Sequence, residues 1–448
     1  MITTTTIFPL LLYITYSLTH SAALKSRVKA ARMTAILDDM INKETYDKRL
    51  RPNYNGKAVE IKIGFWTTSI DPIDVMNMDY TIDLFIRQEW VDPRLNHHLN
   101  ETIQLSHGIV NNIWTPDTYF VNAKTSRVHR VTNLNVMVML APNGLIKYNT
   151  RVTVKAACNL DLRLFPIDKQ TCPLILESYG YHMGHIIYRW ETNSSNGISF
   201  VPKHVRLMPQ YQIVDVRLLA EIHQYVVGNF SALRANFSFV RYYSYFLSHI
   251  YGTSSVIVVI SWMAFFLPRD QTAARVGVGV TSLLTEVTVI DMLNSAMPKV
   301  SYVKSIDKFL MTCLFYVFLS LAEYCIVLVL DRRYKKLLKR KKKEKEQEQL
   351  QEKIQEKLRR KNWWVKSACP SATLETKNHA HVVHSTRGDD HHPIKPSKKT
   401  SKQELLDWLS SERFIEFIDT AALVVFPFSF AMFQICYWLS GIQESSDF

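Results

Sequence analysis

The stretch Ala273-Ala274-Arg275-Val276-Gly277-Val278-Gly279-Val280-Thr281-Ser282-Leu283-Leu284-Thr285-Glu286-Val287-Thr288-Val289-Ile290-Asp291-Met292-Leu293 decides how the chain is read. It is apolar enough to enter a bilayer, yet too rich in hydroxyls to be an ordinary lipid-facing span. On a helix advancing about 100° per residue, Gly277, Thr281, Thr288, Asp291 and Ser295 all fall within roughly 60° of Leu284. One stripe is therefore small or polar with a single large apolar side chain near its middle, and the remaining surface is mainly Val, Leu and Ile. A helix that lines a water-filled pore needs these features: a wettable face, greasy backs, and one apolar ring that closes by dewetting. The same stripe also suits a packing seam, because Gly, Ser and Thr let helices approach closely.

Outward from this stretch the composition is uneven. The 448 residues leave room for two or three domains. The net charge is +14, and residues 332–361 hold 15 Lys and Arg against 5 Glu, which is +10 of that total. A basic run beside an apolar span reads as a cytoplasmic flank, not as a nucleic-acid surface. Apolar blocks at 250–268, 276–293, 309–330 and 420–440 are each long enough to cross about 30 Å of hydrocarbon as helix. They are expected to form helices one to three within 247–332 and a fourth within 414–441. A loop at 333–413 joins the third to the fourth, first as a Lys/Glu-rich solvated helix and then as a Ser-, His- and Pro-rich tract. His379, His381, His384, His391 and His392 in that tract show no ligand spacing, so no metal or other cofactor is expected.

Before the first block the texture is β. Runs at 59–65, 80–90, 136–140, 145–153, 174–179 and 212–216 alternate apolar and polar residues between Pro and Gly punctuation, the pattern of an all-β sandwich over 24–246. Residues 1–23 resemble a signal peptide, with an apolar 7–16 and small residues at Ser21, Ala22 and Ala23. That would put the β domain outside and, after four spans, the 442–448 tail outside too. N-glycosylation sequons at Asn100, Asn193, Asn229 and Asn236 all precede the first block. Only Cys158 and Cys172 lie in the external part, and one pair in an oxidising compartment reads as one disulfide.

These two cysteines, with Phe165-Pro166-Ile167-Asp168 between them, resemble the Cys-loop pentameric ligand-gated channel family. The likeness runs from Tyr46-Asp47-Lys48-Arg49-Leu50-Arg51-Pro52 to Cys436-Tyr437-Trp438. It is strongest to the GABA receptor branch through Trp114-Thr115-Pro116-Asp117-Thr118-Tyr119-Phe120, Glu177-Ser178-Tyr179-Gly180-Tyr181 and Ala273-Ala274-Arg275-Val276. The resemblance implies an extracellular all-β sandwich plus a four-helix transmembrane domain, assembled as a homo- or heteropentamer in the plasma membrane, multi-pass and postsynaptic. It implies a small-molecule neurotransmitter, GABA first, and no enzymatic activity. Residue by residue it assigns Tyr119, Glu177, Tyr179, Tyr225 and Phe230 to an aromatic box for an ammonium group. Phe85 and Arg87, on one side of a strand, belong with Asn149 to the neighbouring subunit's face, where an Arg grips a carboxylate. The chain departs from the family at Val227, Ala232, Met139 and Asn149, which thins carboxylate recognition. Asp168, Arg241 and Lys299 match the coupling residues between binding domain and pore.

For the pore, the resemblance assigns Ala274, Arg275, Gly277, Thr281, Leu284, Thr288 and Asp291. Ala274 stands where cation-passing relatives carry Glu. Five copies of Arg275 would then make a cationic inner ring favouring chloride. Against chloride stand Asp291, about 10 Å above Leu284 by helix rise, and Glu286 facing neighbouring helices. The expected function is a GABA-gated chloride channel subunit. The alternatives are a GABA-gated cation channel or a non-conducting binding or assembly subunit.

Overall fold

The computed structural model describes residues 20, 24, 27–42, 44–97, 99–191, 198–200, 208–368 and 411–446. The expected signal peptide apart from residue 20, the sequon at Asn193, the histidine tract of the loop and the end of the tail lie outside them. The chain divides into two compact units, Met1–Leu247 with Leu293–Ile306 and Gly441–Phe448, and Ser248–Met292 with Asp307–Ser440.

The first unit opens with a helical segment, 27–40, and its body is β. Its strands are β1 (Val59–Ile70), β2 (Asp79–Val91), β3 (Ile103–Leu105), β4 (Thr118–Phe120), β5 (Ala123–Val128), β6 (Arg130–Val131), β7 (Asn133–Leu134), β8 (Val136–Leu140), β9 (Leu145–Ala157), β10 (Lys169–Ser178), β11 (Ile186–Trp190), β12 (Ile198–Phe200), β13 (Tyr211–Tyr225) and β14 (Gly228–Arg241). One sheet runs β11-β1-β2-β9-β8-β3, with β12 on β1 and β5 on β9; a second runs β13-β14-β10-β4. Period-two patterning sorts each strand. On β2, Ile82, Leu84, Ile86, Gln88 and Trp90 are buried, while Thr81, Asp83, Phe85, Arg87 and Glu89 are half-exposed. On β14, Leu233, Ala235, Phe237 and Phe239 all point into the core. The inner faces meet through aromatic pairs, with ring centroids 6.0 Å apart for Tyr80 and Phe239 and 6.3 Å for Phe65 and Phe120. This is the sandwich expected from the alternation, with most strands longer than the runs that announced them. The Cys158–Cys172 disulfide closes the β9–β10 connection, and a closed loop of that size adds about 3 kcal/mol.

The second unit is helical. Among the described residues, four helices are long and apolar enough to cross a membrane: Ser244–Phe266, Thr272–Ser295, Ser305–Arg360 and Glu412–Gly441. The third belongs to one uninterrupted helix, Ser305–Ala368, so the expected solvated helix after the span is its direct continuation. Same-face pairs one turn apart, Lys335 to Asp331 at 2.9 Å and Arg360 to Glu356 at 2.8 Å, help to stabilise this exposed extension. The second and third helices approach closely at Gly279, where an added Cβ would stand 2.8 Å from Leu321 Cδ1.

Candidate functional site

The exposed end of the four-stranded sheet gathers an aromatic and acidic cluster. Register places Glu177 on β10 beside Tyr119 on β4 and beside Ala232 on β14. Glu177 is buried, and each of its oxygens is taken. Tyr119 Oη donates to Oε1 at 2.6 Å, Tyr225 Oη donates to the same oxygen at 3.0 Å, and His223 Nδ1 lies 2.8 Å from Oε2. Burial, reinforced by the bond to this carboxylate, raises both phenols above the usual tyrosine range, so they remain donors. Tyr179 sits just past β10 on a turn pinned by Asp117, whose Oδ2 accepts from Gly180 N at 2.6 Å. Its ring stands 79% exposed and edge-on to Tyr119 at 5.5 Å. Tyr225 is 46% exposed. Phe230 differs from expectation: it is 7% exposed and backs Tyr225 edge-on at 5.4 Å, so it supports the cluster from beneath instead of standing open in it. A buried carboxylate rimmed by exposed rings is a place for a desolvated ammonium group.

His223 was not among the expected site residues, nor were its neighbours Glu221 and Arg234. The signal was present in the alternation Glu221, His223, Tyr225 along β13, which puts all three side chains on one face.

The second expected group lies on the other sheet. Phe85 and Arg87 share the half-exposed face of β2, and Asn149 on β9 is Arg87's cross-strand partner. Arg87 makes a long contact of 3.9 Å to Glu191 and packs 5.7 Å from the Trp66 ring centroid. Arg87 Nε and Asn149 Oδ1 are buried without a hydrogen-bond partner, as is Arg151 Nε on the same face. Orphaned donors of this kind are uncommon, and they suit an anionic group supplied from outside the protomer. The two groups sit on different sheets, and a single protomer does not bring them together.

Of the expected coupling residues, two meet. Arg241 Nε donates to Asp168 Oδ1 at 2.6 Å and Nη2 to Oδ2 at 3.0 Å, with both residues buried. The guanidinium is stacked between Phe165 at 4.7 Å and Tyr211 at 4.5 Å. Lys299 is exposed and is not in this pair. The disulfide loop instead touches the segment after the second helix through Tyr302, whose hydroxyl accepts from Leu162 N at 2.9 Å, and through Ser305 N donating to Arg163 O at 2.8 Å. Of the sequons, Asn100 and Asn229 are exposed, and Asn236 is half-buried within β14.

On the second helix, Ala274, Gly277, Thr281, Leu284, Thr288 and Asp291 are all exposed in the protomer, Leu284 at 63%. Arg275 departs from the expected ring. It is buried, its Nε donates to Leu267 O at 2.9 Å, and Nη1 lies 3.4 Å from Asp419 of the fourth helix. Nine residues from Leu284 amount to about 180° of helix rotation, so the two side chains leave on opposite faces. Glu286 is fully buried beside Ser254, and neither carboxylate oxygen completes a hydrogen bond.

Comparison with known families covers most of this architecture. Residues 33–243 match the neurotransmitter-gated ion-channel ligand binding domain, and residues 251–413 match the neurotransmitter-gated ion-channel transmembrane region. The chain belongs to the neurotransmitter-gated ion-channel family, whose members are ligand-gated channels and not enzymes, and it is a multi-pass membrane protein. It is similar to the gamma-aminobutyric acid receptor subunit beta-4 of Gallus gallus, at 38% identity over 296 residues. That match covers 65% of this chain and 60% of the relative's length.

Proposed function

We propose that the chain is a subunit of a pentameric channel opened by GABA, with chloride as the permeant ion, placed at the plasma membrane of a synapse. The observation that carries the reading is the buried Glu177 carboxylate, rimmed by Tyr119, Tyr179 and Tyr225 at the open end of the sheet. The amine end of an ω-amino acid fits there, and the carboxylate end fits the orphaned Arg87 donor of an adjacent copy. The similarity to a GABA receptor subunit supports the choice among amine agonists. In this reading Gly277, Thr281, Leu284, Thr288 and Asp291 face the pore, and Leu284 forms the apolar constriction. A cation-selective channel is the second reading. It is favoured by Asp291, exposed on the same stripe, and by the pairing of Arg275 with Asp419.

Agonist concentration–response curves test the binding assignment. Tyr179→Ser should raise the half-maximal GABA concentration by about tenfold or more, since a good cation–π contact contributes about 1–2 kcal/mol. Tyr179→Phe should be much milder, because the ring face is retained. If the two variants behave alike, the aromatic box is not what holds the amine.

A further inference from the structure

We propose that His223 competes with the agonist's amine for Glu177, so that agonist affinity falls as the external pH falls; the inference rests on Glu177 being the amine anchor. The geometry is specific. β13 and β10 are separated by β14, so their side chains must reach over the intervening strand, about 10 Å from one to the other. In register, the residue of β14 lying between Glu177 and Glu221 is Ala232. Its methyl group leaves the path open, and the His223 imidazole crosses it to place Nδ1 2.8 Å from Glu177 Oε2. A longer residue at 232 would fill that path.

The surroundings give the imidazole a charge-dependent role. Facing it are Glu177 from β10, with Tyr119 of β4 bonded to the same carboxylate. From its own strand, Glu221 Oε2 lies 3.6 Å from Nε2 and Tyr225 Oη lies 3.5 Å from Nδ1. From β14, Arg234 holds Glu221 at 2.9 Å. When the ring is an imidazolium, it donates a charge-assisted hydrogen bond to Glu177 and neutralises the charge that an ammonium would seek. When the ring is neutral, the carboxylate keeps its full charge for the ligand. Imidazole is the side chain suited to a charge change on mild acidification, so protons and agonist contend for one carboxylate. His223 acts through Glu177 and is a positioning residue for the agonist site.

The test uses the full chain at the cell surface, with labelled GABA as the probe at pH 8.0 and pH 6.0. It compares wild type, His223→Gln, His223→Val and the site control Tyr179→Ser. In wild type the GABA concentration for half-occupancy should rise roughly threefold or more on acidification. Both His223 variants should lose that shift and bind more tightly than wild type at pH 6.0. Retention of the wild-type shift in both variants overturns the proposal. So does weaker binding of both variants by the same factor at the two pH values, which is what a merely structural role would give. If Tyr179→Ser destroys binding while the pH shift ignores His223, this proposal alone fails. If Tyr179→Ser changes nothing, or wild type binds no GABA at either pH, the amine anchor itself is wrong and the proposal falls with it.

Discussion

Arg87 shows what a single residue can reveal. Its Nε is buried without a partner, its contact to Glu191 is long at 3.9 Å, and the Asn149 oxygen opposite is equally unpaired. A charge-assisted, two-pronged contact to a carboxylate would satisfy this donor, and Lys cannot reproduce the fork. Arg87→Ala should therefore weaken agonists carrying a carboxylate by about tenfold or more, while amines lacking one change little. Arg87→Lys should recover only part of the loss. Paired concentration–response curves for GABA and a simple alkylamine check this, and an equal loss for both would make Arg87 a structural residue. Phe85 and Arg87 are singled out by the family resemblance, and strand periodicity adds that they share one face. His223 was not, because its partner Glu177 lies 46 positions away on a strand that it reaches only across β14. Phe230 is placed in the cluster by the family resemblance, and its burial comes from packing that no local pattern reports.

Between elements, the decisive contact is the buried ion pair joining the disulfide loop to the end of β14. Asp168 and Arg241 are bonded twice, and Gln170 Nε2 also donates to Asp168 Oδ2 at 2.6 Å. Removing one partner leaves a buried, unpaired charge, which costs about 3–5 kcal/mol, whereas removing both is far cheaper. Asp168→Ala should sharply reduce surface expression and thermal stability of the detergent-solubilised protein, and Asp168→Ala with Arg241→Met should recover part of both. A double variant as poor as the single would show that the pair matters for something other than charge compensation. The family resemblance singles out both residues as coupling residues without pairing them, and no local pattern could, since they are 73 positions apart. On the second helix the stripe around Leu284 was legible from angular spacing, but Arg275, expected in the pore ring, lies buried on the opposite face, a place the sequence reading did not make legible. Its partner was not, because Asp419 comes from the fourth helix, beyond the long loop.

Across the whole molecule, alternation and apolar length were enough to separate a β-sandwich from four helices, because each follows from a local period. The depth of the strands and the 64-residue third helix were not evident, because pairing and continuation depend on distant neighbours. Ion selectivity belongs to this largest scale. The start of the second helix presents Ala274 without an acid, and a helix N-terminus carries partial positive charge. Arg275 is compensated by Asp419, so it adds less to that end than five free guanidiniums would. Asp291 lies near the opposite end, about 25 Å away by helix rise, where an exposed charge is screened within about 8 Å at physiological salt. The most direct measurement is the reversal potential of the GABA-evoked current in cells expressing the chain, recorded while external chloride is exchanged for a large impermeant anion. The reversal potential should move positive with the chloride equilibrium potential and stay put when external sodium is replaced; one that tracks sodium and ignores chloride would contradict the account and make Asp291 the selectivity filter.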